Sequence, residues 1–429
     1  MRPGSRRAAA GAGLVLILGC SAPQPQPQPT ASPPPVVPGS AAPSQSAGHP
    51  PASPPPASAT PAAAGWTVRA VAPMRRARDG FRALVLGDDT VLVAGDDLAC
   101  APGGASPGSE TAERYDPLAD TWSATAPLNK PRKGFAMVPT LDGGALVAGG
   151  VNADDQPFSS TKRFIPATGA WTDGPLLRFA YPDPSAATLS DGRIYVVGPT
   201  IVEETSSTST AEILAPGRDR WDDGGRLEGV SVRDLIRLTD GRLVALGTMF
   251  ESPDLLFAHD SGGAEGWLPI ARPEPFDFVE DIVAIPGGGM LAFGSAYDPA
   301  TGGTAPQSAL RHDPAVNRWV PTGPMLSPRT DALITQLADG RVLVAGGVVG
   351  PRESSADGQI VRHSEIYDPQ QDAWSAGPEL LEIRADGQAI ALRDGSVLVL
   401  GGLNVRNVGG DTPFCAERLT SVERLTPTP

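Results

Sequence analysis

The sequence predicts an all-β protein made of seven similar four-stranded sheets closed into a ring, and three observations carry that expectation. Seven tryptophans, Trp66, Trp122, Trp171, Trp221, Trp267, Trp319 and Trp374, recur at spacings of 56, 49, 50, 46, 52 and 55 residues. Between them a turn signal followed by an apolar run recurs as often. The composition agrees: 50 glycines and 47 prolines in 429 residues interrupt helices and punctuate turns. A chain of this length has room for two or three average domains or one large all-β domain, and a repeat running through most of it favours the second.

The first segment reads as an export address. Arg2, Arg6 and Arg7 precede an apolar run from Ala8 to Gly19 that is too short to cross a bilayer. The run ends in "ILGCS", which resembles the bacterial lipobox, where the cysteine becomes the acylated N-terminus; an ordinary secretory signal is the alternative. The resemblance implies a signal peptide over 1–19, a lipid on Cys20 and a place in the cell envelope. Ser21 resembles the residue that sends such proteins to the outer membrane of a Gram-negative cell. Residues 20–64 are nearly all Pro, Ala, Ser, Gln and Gly, too poor in apolar surface to offset the entropy of ordering. They are expected to be a tether, roughly 100 Å or more long if polyproline II at about 3.1 Å per residue.

From residue 65 to 429 the repeat takes over. The turn-and-run signature is "DGGALVAGG" at 142, "DGRIYVVG" at 191, "DGRLVALG" at 240, "DGRVLVAGG" at 339 and "DGSVLVLGG" at 394, with weaker copies at 88 and 287. The turn joins strands one and two, because glycine accepts the positive φ such a hairpin needs. The short apolar run closed by glycines suits a strand buried on both faces with a close backbone approach at its end. Pieces such as "AERYDPLADTW" and "SEIYDPQQDAW" supply strand three, a turn and strand four opening on the tryptophan. This pattern resembles the kelch repeat, in the form also found in the central domain of galactose oxidase, over residues 66–429. The resemblance implies a seven-bladed β-propeller. The last copy stops after "SVERLTP", and the domain begins with an orphan strand carrying Trp66, so the N-terminal strand is expected to complete the last blade and remove the open edge.

A net charge of −14 argues against a general positive field for nucleic acid or anionic lipid. Cys100 and Cys415 fall in the loops between strands two and three of the first and last blades, neighbours once the ring closes. In an oxidising compartment they are expected to form a disulfide, with two free thiols as the alternative. Copper-radical oxidases with similar repeats need a crosslinked tyrosine, a second tyrosine and two histidines. Of the four histidines here, His49 lies in the tether and His259 and His312 occupy the tyrosine slot of "YDP", which leaves His363. No metal or other cofactor is expected, and HExxH and P-loop patterns are absent from the sequence.

One constellation remains. Eleven residues before the glycine position of each turn stand Arg78, Arg132, Tyr181, Val230, Asp277, Arg329 and Arg384, at the expected mouth of the central channel. The four arginines come from contiguous blades, and an arginine fork suits a carboxylate or phosphate. Arg78, Arg132, Arg329 and Arg384, with Tyr181 and Asp277, are therefore the expected ligand-binding residues. The alternative is internal pairing, with Asp79, Asp331 or Asp386. The functional expectation is a monomeric, membrane-anchored binding or scaffold module for a protein, glycan or small anion. Its rival is an envelope carbohydrate enzyme such as the kelch-type epimerases of sialic acid, with the arginine arc facing Asp277 and Glu280.

Overall fold

The computed structural model describes residues 65–78, 80–95, 109–203, 206–249, 254–259, 266–298, 303–350, 359–404 and 418–428. The signal and tether, Cys20, His49, Asp79, Cys100 and Cys415 lie outside the described residues.

Among those residues seven antiparallel sheets share one path, in which four strands pair in order from the first to the fourth. Blade 1 is Arg82–Val85, Val91–Ala94, Ala112–Asp116 and Thr121–Ala124. Blade 7 begins with Gln388–Ala391, Val397–Leu400 and Val422–Pro427, and its fourth strand is Trp66–Val71 from the other end of the chain. The pairing runs from Trp66 opposite Pro427 to Val71 opposite Val422. Blade 5 adds the short strand Gly303–Pro306, and a separate three-stranded sheet joins Arg329–Thr330, Val348–Val349 and Gln359–Ile360 beside blade 6. The first strands of all seven blades border one central cavity of about 620 Å³.

The hairpin turns show why the Asp-Gly pair recurs. In blade 3 the amide of Gly192 donates to the carbonyl of Leu189 (3.0 Å), and that of Leu189 donates to the carbonyl of Arg193 (2.8 Å). Only the glycine has positive φ, at 83°. This is a tight turn followed by a left-handed residue, the three-residue hairpin connection. The aspartate holds it from the side, since Asp191 Oδ1 accepts the Arg193 amide at 3.0 Å. In blade 1 Asp89 takes the glycine's place at φ 66°.

The core lies between blades. Each of the seven interfaces has its own apolar cluster; that between blades 7 and 1 joins Ile390, Leu398 and Leu400 to Ala83, Val91 and Val93. A blade exposes two apolar faces and can bury neither alone, so the ring is the packing solution. The tryptophans stitch these interfaces. The indole N–H of Trp122 donates to the carbonyl of Ala72 (2.7 Å), Trp221 to Pro175 (3.0 Å) and Trp319 to Ala271 (2.6 Å), each in the preceding blade or its exit. Trp374 reaches the hydroxyl of Thr322 (3.0 Å). Four interfaces are thus bridged by an indole, whereas the indole nitrogens of Trp171 and Trp267 are buried without a hydrogen-bond partner.

Candidate functional site

The strands run so that the crossovers between blades and the loops between strands two and three share one face, and the Asp-Gly turns lie on the other. On the crossover face the structure corrects the expected arginine arc. Arg78, Arg132, Arg329 and Arg384 are at most 3% exposed and point into their own blades instead of into the channel. Arg384 donates to the carbonyl of Gly401 (2.8 Å), to the Ser421 hydroxyl (3.2 Å) and to Glu423 Oε1 (2.6 Å). Arg78 makes the same set with Gly95, Thr111 and Glu113, and Arg329 pairs with Gly346, His363 and Glu365. The glutamate closes the clip. Glu423 also accepts the amides of Leu381 (2.7 Å) and Glu382 (3.2 Å), and Glu365 those of Leu326 (2.7 Å) and Ser327 (3.0 Å). One ion pair thus ties the incoming crossover, the end of strand two and the start of strand three. A guanidinium buried to this degree and bonded within its blade presents nothing to a ligand, and the Nε of Arg132 and Arg384, which has no partner, is enclosed as well.

Internal pairing was the sequence alternative, yet the partners are glutamates of strand three, not Asp331 or Asp386. The signal was present: Glu113, Glu212, Glu365 and Glu423 recur in "AERYD", "AEILAP", "SEIYD" and "SVERL". Asp331 and Asp386 serve a different need. They adopt φ of 53° and 56° at the corner where blades 1 and 2 have Gly80 and Gly134, a conformation aspartate tolerates better than most residues.

Blades 2 and 3 split the clip. Arg132 keeps its bonds to Gly149 (2.9 Å) and Ser160 (3.1 Å), but Lys162 stands in the glutamate position and reaches outward to Asp173 (2.5 Å). Burial pushes the Arg132 guanidinium below its usual value, and its face lies over the Phe158 ring at 4.7 Å. Blade 3 keeps Glu212, which accepts the amides of Arg178 and Phe179, while Tyr181 replaces the arginine and donates to it at 3.0 Å. Tyr181, fully buried, is therefore also a blade residue, its hydroxyl pushed up first by burial. Asp277 stays on the crossover face, where it accepts the amide of Tyr297 (2.7 Å) and sits 3.9 Å from Arg272. With the arginines withdrawn, the expected arrangement of a sugar-acid epimerase is not assembled.

The ring of side chains at the channel entrance comes from a position four residues further along, which the sequence reasoning missed: Arg82, Ala136, Ser185, Asp234, Asp281, Leu333 and Gln388. Gln388 bridges to the inner edge of blade 1, donating to the carbonyl of Phe81 (2.7 Å) and accepting the amide of Ala83 (3.1 Å). Ser185 donates to Asp234 (3.3 Å). Burial lowers Arg82, opposed by the carboxylates of Asp183 and Asp234 from blades 3 and 4. The entrance is thus polar and largely self-satisfied.

Around it the crossover face is apolar in patches. Leu176, Phe179, Leu326, Leu381 and Ile383 on the crossovers, and Tyr297 near the end of strand two of blade 5, are exposed by 41–68%. Arg75, Arg76, Lys130 and Arg178 stand exposed among the crossovers entering blades 1 to 3.

His259 and His312 pack on Trp267 and Trp319, each with ring centroids 5.0 Å apart, in the slot where Tyr115 and Tyr367 meet Trp122 and Trp374 at 5.1 Å. Burial lowers both His312 and His363. Among the described residues no group of three or more His, Cys, Asp or Glu side chains could hold a metal ion.

No protein-family model matches the chain. The F-box/kelch-repeat protein SKIP30 of Arabidopsis thaliana is 27% identical over 157 residues, 34% of this chain and 43% of that protein. Kelch-like protein 35 of Mus musculus is 30% identical over 153 residues, 35% of this chain and 25% of that one. The chain thus spans less than half the length of either relative. Among solved structures, a fungal alcohol oxidase of the AA5 family in complex with copper superposes with a TM-score of 0.60 at 16% identity, covering 85% of this chain and 76% of its own. That likeness concerns the fold, and the described residues do not fit a copper centre, because His259 and His312 are committed to aromatic stacks. Repeat, topology and neighbours agree on a kelch β-propeller.

Proposed function

We propose that this kelch propeller is a binding module that engages a protein partner on its crossover face and is held to a membrane through a lipid on Cys20. The observation that carries the reading is the set of large apolar side chains left exposed around that face, Leu176, Phe179, Tyr297, Leu326, Leu381 and Ile383, on a protein whose core is already closed between blades. Large apolar side chains left exposed beside charged ones on one face are the composition of an interaction surface. Arg75, Arg76 and Lys130 on the same face favour a partner that combines acidic and apolar side chains, with charge steering its approach. The names of the kelch-repeat relatives are compatible with this reading.

The test is site-specific photocrosslinking in the native envelope, with a photoreactive residue at Phe179, Leu326 or Leu381 and controls at Leu118 and Val316 on the opposite face. The reading expects the same protein captured from the first three sites and not from the controls. Capture only from the controls would overturn it. The anchor is checked separately, since Cys20→Ser should abolish incorporation of a labelled fatty acid. The proposed Cys100–Cys415 bond joins loops that leave adjacent blades on this same face, after Gly95 and Asn404. It should leave the native and unfolded protein without free thiols until reduction.

A further inference from the structure

A second cavity, of about 770 Å³, opens on the turn face between blades 2 and 3, away from the crossover face. Leu146, Ile194 and Leu214 line it together with Asp219 and Pro216 from the turn that joins strands three and four of blade 3, and on the blade 2 side stand Asp142 and Asp173, already paired with Arg163 and Lys162. That size lies within the range of small-molecule sites.

Five of the six sister blades hold a ring that this one lacks, blade 7 having the buried Leu425 at the same position. In blades 1, 2, 4, 5 and 6 the third strand brings an aromatic ring, Tyr115, Phe164, His259, His312 or Tyr367, against the tryptophan of the fourth, with centroids 5.0–5.1 Å apart. The two tyrosines use the hydroxyl as well. Tyr115 donates to Asp120 (2.8 Å) and Tyr367 to Asp372 (2.5 Å), in each case the residue two before the tryptophan. In blade 3 the ring position is Leu214, while Asp219, two residues before Trp221, keeps the acceptor. The turn differs too. Its positive φ has moved to Gly217 at 74°, behind Pro216, where blades 1 and 6 have it on Asp120 and Asp372. Asp219 is exposed at the cavity wall, and nothing lies within 4 Å of where a Gly217 Cβ would be.

We propose that this groove binds a 4-hydroxyphenyl ring, the group that blade 3 lacks, with the ring against Leu214, Leu146 and Ile194 and the hydroxyl donating to Asp219. A carboxylate acceptor at the end of an apolar wall selects a phenol over an unsubstituted ring, because a charge-assisted hydrogen bond forms only with the first. The ring comes either from a tyrosine side chain of a polypeptide or from a free phenol.

Ligand-observed NMR on the purified full-length protein, with p-cresol, N-acetyltyrosinamide and toluene as probes, tests this. For so small a ligand the expected Kd for p-cresol is on the order of 1 mM, with toluene several-fold weaker. Leu214→Tyr installs the sister-blade ring and should weaken p-cresol at least tenfold while raising Tm. If that variant does not fold, Asp219→Asn, on an exposed turn, carries the test by erasing the preference for p-cresol over toluene. N-acetyltyrosinamide binding as well as p-cresol identifies tyrosine as the source; p-cresol binding alone identifies a free phenol. No p-cresol binding up to about 20 mM, unchanged binding in Leu214→Tyr, or a preference that survives Asp219→Asn would overturn the proposal.

Discussion

Blades 6, 7 and 1 and blades 4 and 5 solve one geometric problem in two ways. In the first arc a buried Arg–Glu clip and a left-handed corner bring the crossover into strand one, as in Arg329–Glu365, Arg384–Glu423 and Arg78–Glu113. In the second arc no blade has the pair. The first strands of blades 4 and 5 instead start earlier, as Ser231–Arg237 and Phe278–Ala284, and carry a bulge between Val232 and Asp234 or Val279 and Asp281. The bulge takes up the extra residue that the corner otherwise absorbs. Apolar residues then fill the clip positions, Val230 and Phe257 in blade 4. The clipped arc is also the arc that contains the seam, where the sheet of blade 7 joins the two chain ends without covalent continuity between its third and fourth strands. A clip that ties a crossover to two strands reinforces the place where chain connectivity does not.

The largest effect is expected from breaking one clip. Arg384→Ala leaves Glu423 as a buried unpaired carboxylate and should lower stability by about 3–5 kcal/mol, whereas Val230→Ala in the unclipped arc should lose only a small cavity's worth, about 1–2 kcal/mol. The double change Arg384→Met with Glu423→Leu should recover much of the first loss, because removing both charges removes the desolvation penalty. Denaturant unfolding of the three variants decides. A double variant no more stable than Arg384→Ala would show that the clip's hydrogen bonds to the crossover outweigh the ion pair.

A smaller gain is expected where the clip is half built. Lys162→Glu gives Arg132 the carboxylate that its counterparts have and should stabilise blade 2 by about 1 kcal/mol, after the loss of the exposed Asp173 pair. A fall in Tm would mean that the cation-filled site of blade 2 is packed around the lysine.

The smallest effect concerns acid. On the turn face of the clipped arc, Arg424 and Arg114 from third strands reach Asp394 and Asp88. Partial burial works against ionisation, but hydrogen bonds from Ser396 and the charge of Arg424 hold Asp394 below its ordinary value of 3.8. Asp88 is held down by Thr90 and Arg114 in the same way. A carboxylate depressed in the folded state contributes stability that is present above its unfolded pKa and lost as pH falls through the folded one. The wild-type Tm should therefore drop as pH falls below about 4, and less steeply in Asp88→Asn with Asp394→Asn. Parallel curves would remove these two turns from the acid response.

The sequence by itself determined the fold. Strand order, the hairpin turns, the interface tryptophans and the closure of blade 7 by Trp66–Val71 all follow from local rules of turn chemistry and period, because each repeat must present the same two faces to its neighbours. It also carried the reading of His259 and His312 as blade residues, since both stand where tyrosine stands in other copies. What it could not decide was direction. Arg384 four residues before Gln388 reads equally as a channel residue or a blade residue, and only the packing of three strands and a crossover around one guanidinium turns it inward. The same holds for Leu214, which in sequence is one more apolar residue on a strand; the cavity beside it exists only because a second blade stands across from it.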